Sequence, residues 1–134
     1  MCGISGILNL DGAAADGELA GKLVDCLAHR GPDGRGVEVN GALALGHRRL
    51  SIIDLSGGAQ PMYSRARDYL ISFNGEIFNY LELRAELQSR GVSFATQSDT
   101  EVILEAFACW GEEAFARLNG QFAFALYDVK KREL

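Results

Sequence analysis

The chain has 134 residues, 48% hydrophobic and 23% charged, enough for one globular domain with a real core. Its net charge of −5 offers no basic face to nucleic acid, and no apolar run approaches the roughly 20 residues of a membrane span. No basic segment opens the chain, and Asp11, Asp16 and Glu18 interrupt the early apolar residues, so the N-terminus does not read as a secretory signal.

Residues 3–10 alternate as a strand with apolar residues on both faces, which predicts burial and anchors Cys2. Residues 16–28 form a helix with Leu19, Leu23 and Leu27 as its apolar stripe and Ala20 and Val24 beside it. Residues 29–36 are rich in breakers and read as a loop. Residues 37–39 and 42–46 make a hairpin about Asn40-Gly41, a pair suited to a type I′ turn. Residues 50–55 are a short strand and 56–61 a loop. Residues 69–73 are a strand, with Asn74-Gly75 as a turn-prone pair after it.

Asn79 is expected to cap a helix to about Arg90, with Glu82 completing a capping box and Gly91 ending it. Ser98-Asp99-Thr100-Glu101 opens a second box, on a helix burying Val102, Ile103, Ala106, Phe107 and Trp110. Residues 112–118 form a short helix. Residues 121–128 alternate large and small apolar residues, as in a sheet between two layers. Residues 129–134 read as a turn and the start of another strand, so the domain is expected to be cut short at the C-terminus or completed by another chain. Hairpins mixed with separate helices indicate α+β rather than a βαβ series.

Three cysteines in no zinc spacing, with only His29 and His47 as histidines, point to a reducing cytoplasm and no metal site. Cys26 and Cys109 fall in apolar helical stretches and are expected to be buried. Cys2 is different. Removal of Met1 would place its thiol on the same residue as a free α-amine, which titrates at about 7.7–8.0 against about 8.5 for a thiol. That pairs a nucleophile with a built-in base. Position alone leaves an inert thiol open. Asn74 and Gly75 offer a side-chain amide and an approachable backbone N–H, or an ordinary turn. Arg48 and Arg49 are both able to clamp a carboxylate. Alternation sets them on opposite sides of a strand but does not choose between them. Asp99 is a candidate ammonium partner or a plain first-turn helix stabiliser.

Seven blocks carry a resemblance. They are Met1-Cys2-Gly3-Ile4, His29-Arg30-Gly31-Pro32-Asp33-Gly34, Arg49-Leu50-Ser51-Ile52-Ile53-Asp54, Gln60-Pro61-Met62, Phe73-Asn74-Gly75-Glu76-Ile77-Phe78-Asn79, Ser98-Asp99-Thr100-Glu101 and Asn119-Gly120-Gln121-Phe122-Ala123-Phe124-Ala125. In this order they resemble the class II glutamine amidotransferase domain of glutamine-hydrolysing asparagine synthetases, over essentially all of residues 1–134.

The resemblance implies the four-layer αββα sandwich of N-terminal nucleophile hydrolases. It implies that Cys2 attacks the side-chain amide of L-glutamine, forms a thioester and releases ammonia, with its α-amine as base. Asn74 and Gly75 would hold the oxyanion, Arg49 the substrate carboxylate and Asp99 its ammonium. Leu50, Ser51, Ile52, Ile53 and Glu76 would edge the substrate. Residues 30–33 would shape the pocket, and His29 and His47 would be structural. Phe78 stands where the family often has Tyr.

No cofactor is implied for this domain, since ATP and Mg belong to a separate synthetase domain that would receive the ammonia in the same or another chain. Ser56-Gly57-Gly58 resembles the start of a pyrophosphate loop, but Ala59-Gln60-Pro61 departs from its continuation. A homodimer stays open. So do two rival readings, another N-terminal nucleophile amide hydrolase and an inactive glutamine-binding or assembly module.

Overall fold

The computed structural model describes residues 1–51, 54 and 57–134. Strand β1 (Gly3–Leu8) and strand β2 (Gly34–Asn40) flank strand β3 (Leu43–Arg49) in an antiparallel sheet of order β1-β3-β2. A second antiparallel sheet has the order β4 (Met62–Tyr63), β5 (Tyr69–Ile77), β6 (Gly120–Asp128). Among the described residues four helices complete it: α1 (Gly17–Cys26), α2 (Tyr80–Ser89), α3 (Asp99–Trp110) and α4 (Glu113–Arg117). Among the described residues no helix is long and apolar enough to cross a membrane.

Strand alternation sorts the side chains into layers. Leu43 and Leu45 of β3 meet Leu70 and Tyr127 of the second sheet, while Ala44 between them packs with Ala20 of α1. On β5, Ser72 donates to Gly46 O of the first sheet at 3.0 Å, whereas Ile71 and Phe73 cluster with Leu83 and Leu87 of α2 and Val102 and Ile103 of α3. On β6, Phe124 and Leu126 join the helical side, and Ala125 and Tyr127 the sheet side. The layers are therefore α1, sheet, sheet, then α2–α4: the expected αββα sandwich.

Several local expectations give way to tertiary packing. The leucine stripe of α1 does not face the core: Leu19 and Leu23 are 47% and 38% exposed, while Ala20, Gly21 and Val24 are buried. The sheet face beneath is flat and tight, and a Cβ on Gly46 would lie 2.2 Å from Val24 Cγ2. Only small residues let the helix approach that closely. Cys26 and Cys109, expected inside, are exposed on the outward sides of their helices.

Asn40 pairs with Leu43, so the hairpin turns on Gly41-Ala42, one residue later than expected. Gly41 has φ +57° and Ala42 does not join it at positive φ, which fits a type II′ rather than a type I′ turn. The expected strand over residues 50–55 is not one at its start. β3 ends at Arg49, and Leu50 and Ser51 lie beyond it. Residues 52, 53 and 55 of that expectation lie outside the described residues.

Asn74-Gly75 is not a turn either. β5 runs through it, with Asn74 opposite Ala123 and Gly75 opposite Phe122. Asn79 precedes α2 without capping it. Its carboxamide instead joins Arg117 O and Asn119 N, each at 2.9 Å. Ser98 does cap α3, accepting from Thr100 N at 3.1 Å. Glu101 reaches past that cap to Ala95 N and Thr96 N at 2.8 and 2.7 Å. Beyond β6 the chain turns back, with a bridge from Asp128 to Glu133.

His47 is buried between the sheets, and its Nε2–H donates to Phe73 O at 3.0 Å. Burial holds its pKa down at about 4, from an ordinary 6.5; the bond to Phe73 opposes this and the Arg49 charge reinforces it. The folded state keeps the imidazole neutral where the unfolded chain takes a proton, so stability falls as pH drops through this window. His47→Gln is expected to flatten that fall by up to about 3 kcal/mol between pH 6.5 and 4. Urea midpoints of both chains across this range measure it, and parallel pH curves would refute it.

Candidate active site

Pairing of Gly3 with Arg48 sets Cys2 beside the end of β3. There Cys2 Sγ accepts from Leu50 N at 3.3 Å and lies 3.6 Å from Leu50 O. Arg30 Nε donates to Cys2 O at 2.9 Å. The loop carrying Arg30 is braced in turn. A Cβ on Gly31 would sit 2.4 Å from the Arg48 carbonyl, and Asp33 N donates to Arg49 O at 2.9 Å. The thiol thus meets the Leu50 main chain and the Cys2 carbonyl meets Arg30, at the first residue before a paired strand.

The two neighbouring arginines part company here. Arg48 turns toward α1, where Nη2 meets Asp25 Oδ1 at 3.1 Å and Nε meets Val24 O at 3.3 Å. Arg49, on the opposite side of the strand, lines a pocket, and one of its Nη atoms donates to Asp54 O. That pocket, of about 290 Å³, is at the small end for ligand sites. Cys2, Arg49, Leu50, Asn74, Gly75, Glu76 and Asp99 all line it.

Ser51 is not among the lining residues, and its backbone N–H is taken by Asp33 Oδ2 at 2.8 Å. Ile52 and Ile53 lie outside the described residues. Met1 also lines the pocket and is 70% exposed. Its peptide bond occupies the nitrogen of Cys2.

β5 forms the wall facing Cys2. Asn74 Oδ1 is buried and has no hydrogen-bond partner among the described residues. A buried amide end without a partner costs stability, and a ligand able to engage it would offset that cost. Next to it Gly75 is required by space: a Cβ would fall 2.3 Å from Gln121 O and 2.6 Å from Phe122 Cα.

Asp99 opens α3 and is 5% exposed, its Oδ2 accepting from Ile77 N at 3.1 Å. Burial pushes its carboxyl above the ordinary 3.8. The N–H groups of Ile77 and Thr100 work against that rise, and the Glu76 charge adds to it. A cation beside Asp99 would reverse the shift. The pocket therefore carries a thiol, an amide whose Oδ1 has no partner among the described residues, a guanidinium and a buried carboxyl.

Sequence reasoning assigned no role to Gln60 or Thr100, which also line this space. Gln60 stood in one of the seven blocks, but nothing in the sequence marks its carboxamide as inward-facing.

The sequence model of the family described as Glutamine amidotransferase domain matches residues 1–134. Asparagine synthetase [glutamine-hydrolyzing] 1 of Bacillus subtilis is 44% identical over 131 residues, which cover 96% of this chain and 21% of the relative. Asparagine synthetase B of Escherichia coli is 42% identical over 132 residues, covering 98% and 24%. The chain thus spans less than a quarter of either relative. Among solved structures, the glutamine phosphoribosylpyrophosphate amidotransferase of B. subtilis superposes with a TM-score of 0.77 at 22% identity, covering 96% of this chain and 35% of that one. The two share a fold.

Proposed function

The chain belongs to the glutamine amidotransferase domain family, and from that premise we propose how its pocket hydrolyses L-glutamine to glutamate and ammonia. The observation that carries the reading is the meeting of Cys2, Asn74, Gly75, Arg49 and Asp99 around one small pocket. Arg49 takes the substrate carboxylate and Asp99 its ammonium, so a free amino acid is read at both charged groups. Leu50 and Glu76 edge it.

With Met1 removed, the α-amine of Cys2 accepts the thiol proton as sulfur attacks the side-chain carbonyl carbon. The oxygen becomes an oxyanion, held by the Asn74 amide and the Gly75 N–H. The intermediate collapses as the C–N bond breaks, and the amine returns its proton to the departing ammonia. Water then attacks the thioester, its proton passes to the amine, and the C–S bond breaks to give glutamate and the free thiol.

The ammonia passes to an ATP-dependent synthetase domain, in the same or another chain, where ATP and Mg are used. The names of the relatives and their far greater length support asparagine formation as the downstream step. Ammonia release from glutamine by the purified chain, with loss of Met1 confirmed by intact mass, tests the reading. No release by chain lacking Met1 would overturn it.

A pH dependence follows from Asp99. Burial raises its carboxyl above the ordinary 3.8, and only the ionised form pairs with ammonium. The KM for glutamine is expected to rise on acidification, beginning at a higher pH than an ordinary aspartate would cause. Asp99→Asn should raise KM about 100-fold at neutral pH and remove that acid limb. An identical limb in the variant would exclude Asp99 as its source.

A further inference from the structure

The geometry points to Gln60 as a positioning residue that ties the oxyanion strand to the helix bearing Asp99. The inference rests on the glutaminase reading. Met62 pairs with Ile71 and Tyr63 with Leu70, so the same antiparallel register carried two residues back would set Gln60 against Phe73. The main chain of Gln60 does not make that pair. It is turned onto the first sheet, where a Cβ on Gly36 would meet Gln60 O at 1.9 Å.

The side chain completes the ladder instead. Phe73 N donates to Gln60 Oε1 at 2.7 Å, and Gln60 Nε2 donates to Phe73 O at 3.1 Å. The same Nε2 reaches Thr100 Oγ1 at 3.3 Å. A carboxamide is suited to this, having an acceptor and a two-hydrogen donor on one planar group.

The partners explain the consequence. Phe73 immediately precedes Asn74, and Thr100 immediately follows Asp99. Phe73 O also accepts from His47, two residues before Arg49 on β3. One carboxamide thus joins the peptide next to the oxyanion amide with the first turn that carries the ammonium partner, and shares an acceptor with the strand of the carboxylate clamp. A shift of about 1 Å in such a frame costs up to about 100-fold in rate.

Gln60→Glu keeps the length and the acceptor for Phe73 N but puts a carboxylate oxygen against Phe73 O. Its kcat is expected to fall about 10- to 100-fold. Relative to wild type at the same pH, its activity should recover on acidification, because a protonated carboxyl restores the missing donor. Thr100→Val, which removes only the link to α3, should raise KM several-fold more than it lowers kcat.

With active wild type, kcat within about twofold for Gln60→Glu, or a deficit constant with pH and tracking lowered thermal stability, would overturn the inference. A wild-type chain that releases no ammonia would sink the glutaminase reading alone. Amide resonances of the labelled chain then decide the role of Gln60. Joint shifts at Asn74, Gly75 and Thr100 in Gln60→Glu support it, and a change confined to Phe73 overturns it.

Discussion

Cys2→Ala is expected to lower ammonia release from glutamine by about 10³-fold or more while changing stability by no more than about 1 kcal/mol. Two hydroxyls near the pocket have other work. Ser98 Oγ caps α3 by accepting from Thr100 N, and Thr100 Oγ1 accepts from Gln60. Neither stands beside a base as the Cys2 thiol would stand beside its own amine. Among the described residues the thiol hydrogen-bonds only with the Leu50 main chain, through sulfur, so its loss removes little. Arg49 and Asp99 remain, and calorimetry on Cys2→Ala should still show glutamine binding near the wild-type affinity. Undiminished hydrolysis in the variant would refute the thioester route. Lost binding together with lost activity would make Cys2 a structural residue.

The sandwich was legible because its two periodicities are written plainly. Alternation in β3 and β6 assigns faces, and the capped start of α3 is marked by Ser98. What failed was phase and partner. The helical period of α1 is sound, yet its leucines are exposed and its small residues buried, because Gly46 and Ala44 on the facing strand invite close approach. That preference belongs to a surface 20 residues away in sequence and leaves no local trace. Asn40-Gly41 and Asn74-Gly75 are the same dipeptide with different outcomes. The first borders a hairpin turn and the second lies inside a paired strand, and only long-range pairing with β6 separates them.

The candidate site was more legible than its frame. Residue types left Cys2, Arg49 and Asp99 with plainer alternatives, which the resemblance resolved, and strand alternation placed Arg48 and Arg49 on opposite sides. The resemblance picked Arg49, and the structure turns Arg48 away from the pocket to Asp25. Gln60 stayed silent because its hydrogen bonds imitate a strand ladder, which no side-chain pattern announces.

Asn74→Ala is the sharper test of the oxyanion assignment. Deleting one oxyanion donor costs about 10²–10³-fold in kcat, because the bond is made strongest to the charged intermediate. KM should move little, since Arg49 and Asp99 carry the ground-state recognition. Stability should hold or rise, because the substitution removes a buried Oδ1 that has no partner among the described residues. A residue kept for packing would show the reverse, a stability loss with proportionate inactivation. Asn74→Asp should be at least as inactive as the alanine variant, although it is closer in shape. It replaces the amide donor with an acceptor and sets negative charge where the oxyanion forms. Were Asn74→Ala to raise KM about tenfold while keeping kcat, Asn74 would bind the substrate amide in the ground state, and the Gly75 N–H would carry the oxyanion without it.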